Sequence, residues 1–254
     1  MKYLVVCASI ILTSMLTGCG GGSGGNSSDD SISDLGTEAI YKFEGNGTTA
    51  INSSFDKMHG TIVGAIRVEG KVGKALSFES NNPSYVELNI LSDNINEELI
   101  IDFPDNQISI EGWYKLSDFN NADEYYVLGS RNNGLNPFDL VFYNGNFKLT
   151  LFKDGYSDNS VDVIESDYEF EKDVWYYVSI TYDGDIARLY IDGIENTSNA
   201  IITPVSRAYN DLFLGGVPPN GNTDSFPGAI DEFKLLQGVR SQTEILEYLD
   251  SLIQ

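Results

Sequence analysis

The sequence predicts an all-β sandwich or jelly roll that is closed by one short C-terminal helix. Short runs rich in Tyr, Val and Ile alternate with turns of Gly, Asn and Asp along most of the chain, as in proteins built from many short strands. The clearest example is 175–196, in which Asp183-Gly184-Asp185 and Asp192-Gly193 separate three apolar runs. Asp-Gly at such positions is a strong hairpin signal, so this stretch is expected to form an antiparallel meander.

The remaining strands follow from the same alternation, and Asn144-Gly145 predicts a further hairpin. Beside the meander, strands are predicted at 39–43, 61–68, 75–78, 85–88, 108–116, 125–129, 138–143, 146–152, 161–164, 212–214 and 229–236. The connections at 93–106, 132–136 and 217–226 are expected to be exposed loops, which either recognise a ligand or simply join strands.

The end of the chain carries a helix signal. Ser241-Gln242-Thr243-Glu244 is a capping box, in which the Ser and Glu side chains satisfy backbone N–H groups of the first turn. Ile245, Leu249 and Leu252 follow at helical spacing. A short amphipathic helix is therefore expected to dock on the sandwich.

The first 37 residues are expected to address and tether the protein rather than to join its core. Residues 1–18 are typical of a lipoprotein signal peptide, because a basic start precedes an apolar run too short to span a bilayer. Leu16-Thr17-Gly18-Cys19 resembles the bacterial lipobox, which implies lipidation of Cys19 and, with Gly20 next, an outer-membrane location. An ordinary secretory peptide with an incidental cysteine is the alternative. Residues 19–37 would form a flexible tether, and the folded domain is expected at 38–254.

Composition excludes several classes of partner and site. With 15 Lys and Arg against 38 Asp and Glu, the formal net charge is −23 at pH 7, so nucleic acid and anionic lipid surfaces are disfavoured partners. The chain has two cysteines. Because Cys7 lies in the signal segment and Cys19 would carry lipid, an intrachain disulfide and a cysteine metal site are excluded.

Several short motifs occur in one order along the chain. They are Tyr41-Lys42-Phe43-Glu44-Gly45, His59-Gly60-Thr61, 70–78, Ile110-Glu111-Gly112-Trp113-Tyr114, the meander that opens with Trp175, and 228–233. Over about residues 39 to 249 they resemble a laminin G-like domain of the concanavalin A-like lectin/glucanase superfamily. The resemblance implies a concanavalin A-like jelly-roll β-sandwich. It implies no single activity, because the fold hosts enzymes, lectins and adhesion modules.

The sequence lacks the carboxylate pattern of the family's glucanases. Relatives that cleave β-glucans carry Glu-x-Asp-x-x-Glu on one strand, and no such run occurs here. The nearest acidic cluster, 169–173, precedes Trp175 where a turn is expected, and acids there are ordinarily solvated. His59 is the only histidine, so a catalytic triad is not expected. We therefore predict that the protein is not an enzyme.

One carboxylate has an informative position in a predicted strand. Alternation in 229–235 places Asp231 on the face of Phe233 and Leu235, where an unpaired charge would be costly. The resemblance implies a structural calcium ion where the first and last strands meet, with Glu44 as a second ligand beside Asp231. Alternatively, Asp231 accepts backbone N–H bonds at a β-bulge.

Two predicted strands carry aromatic residues among polar neighbours. Trp113 lies between Glu111 and Lys115 on one strand face, and Trp175 and Tyr177 share a face with hydroxyl residues. Aromatic rings flanked by polar groups suit the apolar faces and hydroxyls of sugars, so Trp113, Trp175 and Tyr177 are the predicted ligand-binding residues. Packing of these rings under the C-terminal helix or a loop is the alternative.

The sequence therefore predicts a non-catalytic binding module, displayed at the bacterial cell envelope through a lipid anchor in the outer membrane. A glycan is the first ligand class expected. An adhesion or structural module that binds an envelope or extracellular protein is the alternative, and a glycan-active enzyme is a more distant one.

Overall fold

The computed structural model confirms an all-β architecture with one helix at its C-terminal end. It describes residues 38–54, 59–80, 82–88, 107–117, 119–120, 122–130, 138–152, 161–201, 212–218 and 225–252. The strands are β1 (Glu38–Tyr41), β2 (Thr49–Ala50), β3 (Gly60–Val63), β4 (Ile66–Glu69), β5 (Lys74–Phe78), β6 (Tyr85–Leu88), β7 (Ile108–Leu116), β8 (Glu124–Ser130), β9 (Phe138–Tyr143), β10 (Asn146–Phe152), β11 (Val161–Glu165), β12 (Trp175–Tyr182), β13 (Ile186–Ile191), β14 (Ile194–Ala200), β15 (Leu212–Leu214) and β16 (Gly228–Gln237). The helix α1 spans Gln242–Ser251.

The strands form two antiparallel sheets that pack face to face, as in a jelly-roll sandwich. In the described part of the chain, the first sheet has the order β14-β13-β12-β7-β16-β5-β4, and β1 also pairs with β16. The second sheet has the order β11-β10-β9-β8-β15-β6-β3-β2. One edge of β16 pairs with β7 and the other pairs with β5 and then β1, so the first and last strands meet.

Period-two alternation decides which side chains fill the sandwich. Tyr176 and Ile180 of β12 belong to the core between the sheets, whereas Tyr177 belongs to a separate cluster on the outer face. Their register partners in β7, Tyr114 and Ile110, also lie in the core, because side chains directly opposite in paired strands share a face. The predicted faces of both strands are confirmed.

Left-handed turn residues close the predicted hairpins. Asn144 and Gly145 have φ angles of 52° and 84°, and Asp192 and Gly193 have φ angles of 51° and 78°. A two-residue type I′ turn requires positive φ at both central positions, which Asn-Gly and Asp-Gly tolerate best. Both hairpins are confirmed.

The predicted strand 61–68 is in fact two strands in different sheets. Gly64 divides it with a left-handed φ of 70°, and a Cβ atom there would clash with the carbonyl oxygen of Pro83. β3 therefore pairs with β6 in the second sheet, whereas β4 pairs with β5 in the first sheet.

A β-bulge in β16 corrects the predicted placement of Asp231. The register against β7 shifts immediately after Asp231, and Glu232 has a left-handed φ of 46°. The extra residue reverses the alternation, so Phe233 and Leu235 face the core while Asp231 lies opposite Trp113 on the outer face.

α1 confirms the predicted capping box. Ser241 Oγ accepts the N–H of Glu244, and the Glu244 carboxylate accepts the N–H of Ser241 at 2.7 Å. Ile245 is the fully buried residue of this helix, and it packs with Trp113 and Tyr177 on the outer face of the first sheet.

The predicted signal peptide, the tether with Cys19 and the loops 93–106 and 132–136 lie outside the described residues. Of the predicted loop 217–226, the described residues are 217–218 and 225–226. Within the described ranges, no helix has the length and apolar character needed to cross a membrane.

Candidate functional site

The predicted aromatic face is covered by α1. Trp113 and Tyr177 are 7 % and 0 % exposed and form a small cluster with Tyr190 and Ile245 between the first sheet and the helix. Trp175 is half-buried at the margin of this cluster. The structure therefore shows the packing alternative for Trp113 and Tyr177 and corrects the expectation of an open face. Alternation identifies a strand face, but it does not reveal what covers that face.

The same face holds a buried ionic network centred on Glu111. Its Oε2 accepts a hydrogen bond from the Tyr177 hydroxyl at 2.7 Å, and its Oε1 accepts one from Ser179 Oγ at 3.2 Å. Lys234 Nζ and Arg240 Nε lie 4.0 Å and 3.6 Å from the carboxylate, and burial lowers the pKa of Lys234 to about 8. Because Glu111 is paired and fully buried, it is inaccessible to a ligand, and its removal would leave the neighbouring cations without their partner.

Asp231 and Glu44, the predicted metal ligands, meet at the turn 70–74. Asp231 Oδ2 accepts the N–H of Val72 at 2.9 Å, and its Oδ1 accepts the N–H of the following residue at 2.7 Å. Glu44 Oε1 accepts the N–H of Lys74 at 3.1 Å. Burial raises the pKa of Asp231 to about 7. The structure therefore brings the two carboxylates to the same turn.

This arrangement is a poor match to a calcium site. Among the described residues, no group of three or more His, Cys, Asp or Glu side chains is placed to hold a metal ion. Both oxygens of Asp231 already accept N–H groups, whose positive ends compete with a cation for the same oxygens. The alternative prediction, in which Asp231 accepts backbone N–H groups at a β-bulge, matches the structure. Calcium binding by Asp231 and Glu44 stays a prediction.

A surface groove of about 680 Å³ runs along β4. It is lined by residues 46–47, 65–69 and 73–74. Its cations already have partners, because the Arg67 guanidinium donates to three backbone carbonyls of the segment 43–49 and Lys74 Nζ donates to Asn46 Oδ1. None of the described residues that line this groove is aromatic. It therefore offers little to a sugar.

A second groove, of about 420 Å³, lies at the tip of the β9–β10 hairpin. This Asn144–Tyr168 groove is lined by Phe119, Asn144, Gly145, Asn146, Asp167, Tyr168, Glu169 and Phe170. One wall is the hairpin turn, and the other is the irregular segment 166–174 between β11 and β12. Amide, carboxylate and phenol groups therefore surround the groove together with aromatic rings.

Tyr168 is anchored although it is exposed. Its side chain is 39 % exposed, and its ring centroid lies 4.9 Å from that of Phe170 and 5.6 Å from that of Tyr176. Phe170 in turn packs on the core rings of Phe142 and Phe147. The Tyr168 hydroxyl is a neutral hydrogen-bonding group at pH 7, because a phenol ordinarily titrates at about 10 and burial raises the pKa of this one further.

Hydrogen bonds fix the backbone next to Tyr168. Asp167 N–H donates to Asn196 Oδ1 at 2.8 Å, and Asn196 Nδ2 donates to the Asp167 carbonyl at 2.9 Å. Ser166 Oγ accepts the N–H of Phe147 at 3.0 Å and donates to Asn146 Oδ1 at 3.2 Å. The groove wall is therefore held in place before any ligand arrives.

The polar side chains of the groove are available to a ligand. Within the part of the chain that the structure describes, the side chains of Asn144, Asp167 and Glu169 make no hydrogen bond or ion pair. Amides donate and accept hydrogen bonds, and carboxylates accept them from hydroxyl groups. A ligand rich in hydroxyls and carrying an apolar ring face would satisfy all of these groups.

Sequence reasoning did not identify Asn144, Tyr168 and their neighbours as a site. The hairpin signal places Asn144 in a turn, and the acidic run 169–173 is expected to be a solvated turn. The structure confirms both placements. Only the pairing of β10 with β11 brings the two turns together. The sequence feature that could have indicated this site is Tyr168, an aromatic residue between two acids outside any predicted strand.

The family model of the concanavalin A-like lectin/glucanases superfamily, in its laminin G-like form, matches residues 84–246. Curated relatives match a shorter segment. Pappalysin-1 of Homo sapiens is 32 % identical over 82 residues, which are 30 % of this chain and 5 % of that protein. Pappalysin-1 of Mus musculus is 29 % identical over 96 residues, or 36 % of this chain and 6 % of that protein. This chain therefore spans only about a twentieth of their length.

Solved structures share the fold at low sequence identity. The binding domain of Paraclostridial Mosquitocidal Protein 1 has a TM-score of 0.68 and 16 % identity over 86 % of this chain and 52 % of that one. Domain 4 of an extracellular arabinanase from Geobacillus stearothermophilus, solved in complex with arabinotriose, has a TM-score of 0.61 and 21 % identity over 85 % of this chain and 97 % of that one. Because the family model matches well over half of the 254 residues and the two-sheet fold agrees, this chain belongs to the concanavalin A-like lectin/glucanases superfamily as a laminin G-like domain.

Proposed function

We propose that this protein is a non-catalytic carbohydrate-binding module and that the Asn144–Tyr168 groove is its binding site. The observation that carries the proposal is the Tyr168 ring, which is exposed yet anchored beside amide and carboxylate groups. An aromatic face packs against the apolar face of a sugar ring, while the polar groups bind its hydroxyls. Because Tyr168 is already ordered, binding sacrifices little conformational entropy.

Similar folds support a binding role as part of this proposal. The arabinanase domain is described in complex with arabinotriose, and the mosquitocidal protein neighbour is a binding domain. These binding roles are those of the structural neighbours, and they favour glycans as the first ligands to test on this protein.

Binding without catalysis is proposed because the described carboxylates of the groove, Asp167 and Glu169, lie on one wall and not on its two sides. Glycoside cleavage requires an acid and a second carboxylate on either side of one scissile bond. Glu111 is buried among hydroxyls and cations beneath α1, whereas Asp167 and Glu169 are exposed on the groove wall. The sequence also lacks the Glu-x-Asp-x-x-Glu pattern.

We also propose that a lipid on Cys19 displays the module at the bacterial outer membrane. The support is Leu16-Thr17-Gly18-Cys19 followed by a Gly/Ser/Asp-rich tether. Palmitate labelling of the wild type and of Cys19→Ala tests this proposal. Label and membrane fractionation are expected for the wild type alone, and a labelled, membrane-bound variant would contradict the anchor.

A glycan array beside a pull-down of envelope proteins tests the ligand class. We expect the wild type to bind a set of glycans on the array. Capture of an envelope protein by a chain that binds no glycan would contradict the proposal and favour the protein-adhesion alternative.

A further inference from the structure

Among the described residues that line the Asn144–Tyr168 groove there are two carboxylates and no cation. Asp167 and Glu169 are both exposed in the groove wall. Glu165, Glu171 and Asp173 are exposed along the same stretch of chain. A ligand that enters the groove therefore approaches a cluster of negatively charged side chains.

Two lysines lie near the groove without lining it. Lys172 Nζ is 5.9 Å from the ring centroid of Phe119, and Lys148 Nζ is 5.7 Å from that of Tyr143. Lys148 is also the cross-strand partner of Glu165. Five acids in 165–173 outnumber these two cations, and the whole chain carries −23, so the potential at the groove is negative.

We propose that the groove selects uncharged glycans and that Asp167 and Glu169 reject glycans carrying a carboxylate, such as uronates and sialates. This inference rests on the proposed carbohydrate function. A sugar carboxylate in the groove would face two like charges without a lining cation to pair with. Sugar hydroxyls, in contrast, donate hydrogen bonds to the same two carboxylates. The two acids therefore attract neutral sugars and repel acidic ones.

The test compares the neutral oligosaccharide that binds best on the array with its C6-oxidised form, in which one hydroxymethyl group has become a carboxylate. In calorimetric titrations of the full chain at low salt, we expect the neutral form to bind at least about tenfold more tightly. The difference should shrink in about 1 M salt, where the screening length falls to about 3 Å.

Variants assign this selectivity to named residues. Asp167→Asn combined with Glu169→Gln should raise the affinity of the oxidised form relative to the neutral form about tenfold. Glu171→Gln removes an exposed acid of the same segment that does not line the groove, so it should change the relative affinity much less than the double variant does. Thermal melts establish that each variant is folded, and single substitutions replace the double variant if it is not.

Two results would overturn the selectivity alone. One is equal or tighter binding of the oxidised form by the wild type, and the other is an unchanged relative affinity in the double variant. If neither form binds the wild type or the variants, the carbohydrate function of the groove fails together with the selectivity.

Discussion

Asp231 is a buried carboxyl whose two oxygens accept backbone N–H groups from the turn 70–74 and from its own bulge. Burial raises its pKa to about 7, so the folded protein favours the protonated form more than the unfolded chain does. A raised folded-state pKa contributes stability that is fully present below the unfolded pKa, about 4, and is lost as pH rises through the folded value.

Asp231→Asn should therefore flatten the dependence of stability on pH. In EDTA, the free energy of unfolding of the wild type is expected to fall by on the order of 1 to 3 kcal/mol between pH 5 and pH 8, because the buried carboxyl must ionise. The variant has no proton to release at this position. Urea unfolding across this pH range measures the slope, and Asp250→Asn, in an exposed part of α1, is the control. Equal slopes in Asp231→Asn and the wild type would contradict this account of Asp231.

The same variant tests the predicted calcium site. A ligand that binds only the native state adds RT ln(1 + [L]/Kd), which is about 2.7 kcal/mol at a hundredfold excess over Kd. Calcium held by Glu44 and Asp231 should raise the melting temperature of the wild type and not that of Asp231→Asn. A wild-type melt that is the same in calcium and in EDTA, with no metal found by elemental analysis, would remove the site.

Trp113 and Trp175 should differ in their contributions to stability, because Trp113 is buried beneath α1 and Trp175 is half-buried at the margin. Trp113→Ala is expected to lower the free energy of unfolding by about 3 to 5 kcal/mol through loss of packing and creation of a cavity. Trp175→Ala should cost clearly less. Chemical denaturation gives both values, and equal losses would contradict the packing described for Trp113.

At the scale of elements, α1 depends on its contacts with the sheet. A helix of ten residues is marginal on its own. Ile245 is buried against the aromatic cluster, Tyr248 donates its hydroxyl to Glu232 at 3.2 Å, and Gln242 Nε2 donates to the Gly193 carbonyl at 2.9 Å. These contacts and the capping box together keep Trp113 and Tyr177 covered.

Ser241→Ala should lower the free energy of unfolding by about 1 kcal/mol, because the N-cap hydroxyl no longer satisfies a first-turn N–H group. Thr243→Ala is the matched control, since Thr243 is exposed in the same turn and is not part of the capping box. Thermal or urea unfolding of both variants checks the prediction. Equal effects of the two changes would show that the capping box does not stabilise α1.

Elements fixed by neighbouring residues could be predicted from the sequence, and elements fixed by distant ones could not. Asn144-Gly145, Asp192-Gly193 and the capping box depend on contacts within four positions. The sheet change at Gly64 depends instead on the backbone of Pro83. The alternation of side chains along the strand likewise did not predict the bulge after Asp231, because an inserted residue leaves no periodic signal.

The candidate site was less predictable than the fold for the same reason. Trp113 and Tyr177 were correctly placed on one strand face, but their cover is a helix more than fifty residues further along the chain. Tyr168 lies in an irregular segment, where neither the strand period nor the helix period predicts which way a side chain faces. The groove exists only because that segment folds back beside the hairpin tip at Asn144.

At the scale of the whole molecule, both sheets support the groove. The segment 166–174 carries the chain from β11 in the second sheet to β12 in the first. Asn196 of β14 binds the backbone of Asp167, and Asn199 Nδ2 of β14 donates to the Val163 carbonyl of β11 at 3.0 Å. The groove therefore lies where hydrogen bonds join strands of both sheets to the irregular segment and help to position its side chains.

The most direct test of this account is calorimetric titration of a glycan that binds on the array into the wild type, Tyr168→Ala and Tyr143→Ala. The two tyrosines are 39 % and 38 % exposed, but only Tyr168 lines the groove. Loss of the stacking ring should weaken binding about tenfold or more in Tyr168→Ala, which corresponds to about 1.4 kcal/mol, whereas Tyr143→Ala should bind like the wild type. Wild-type affinity in a folded Tyr168→Ala protein, or an equal loss in both variants, would contradict the assignment of the groove as the binding site.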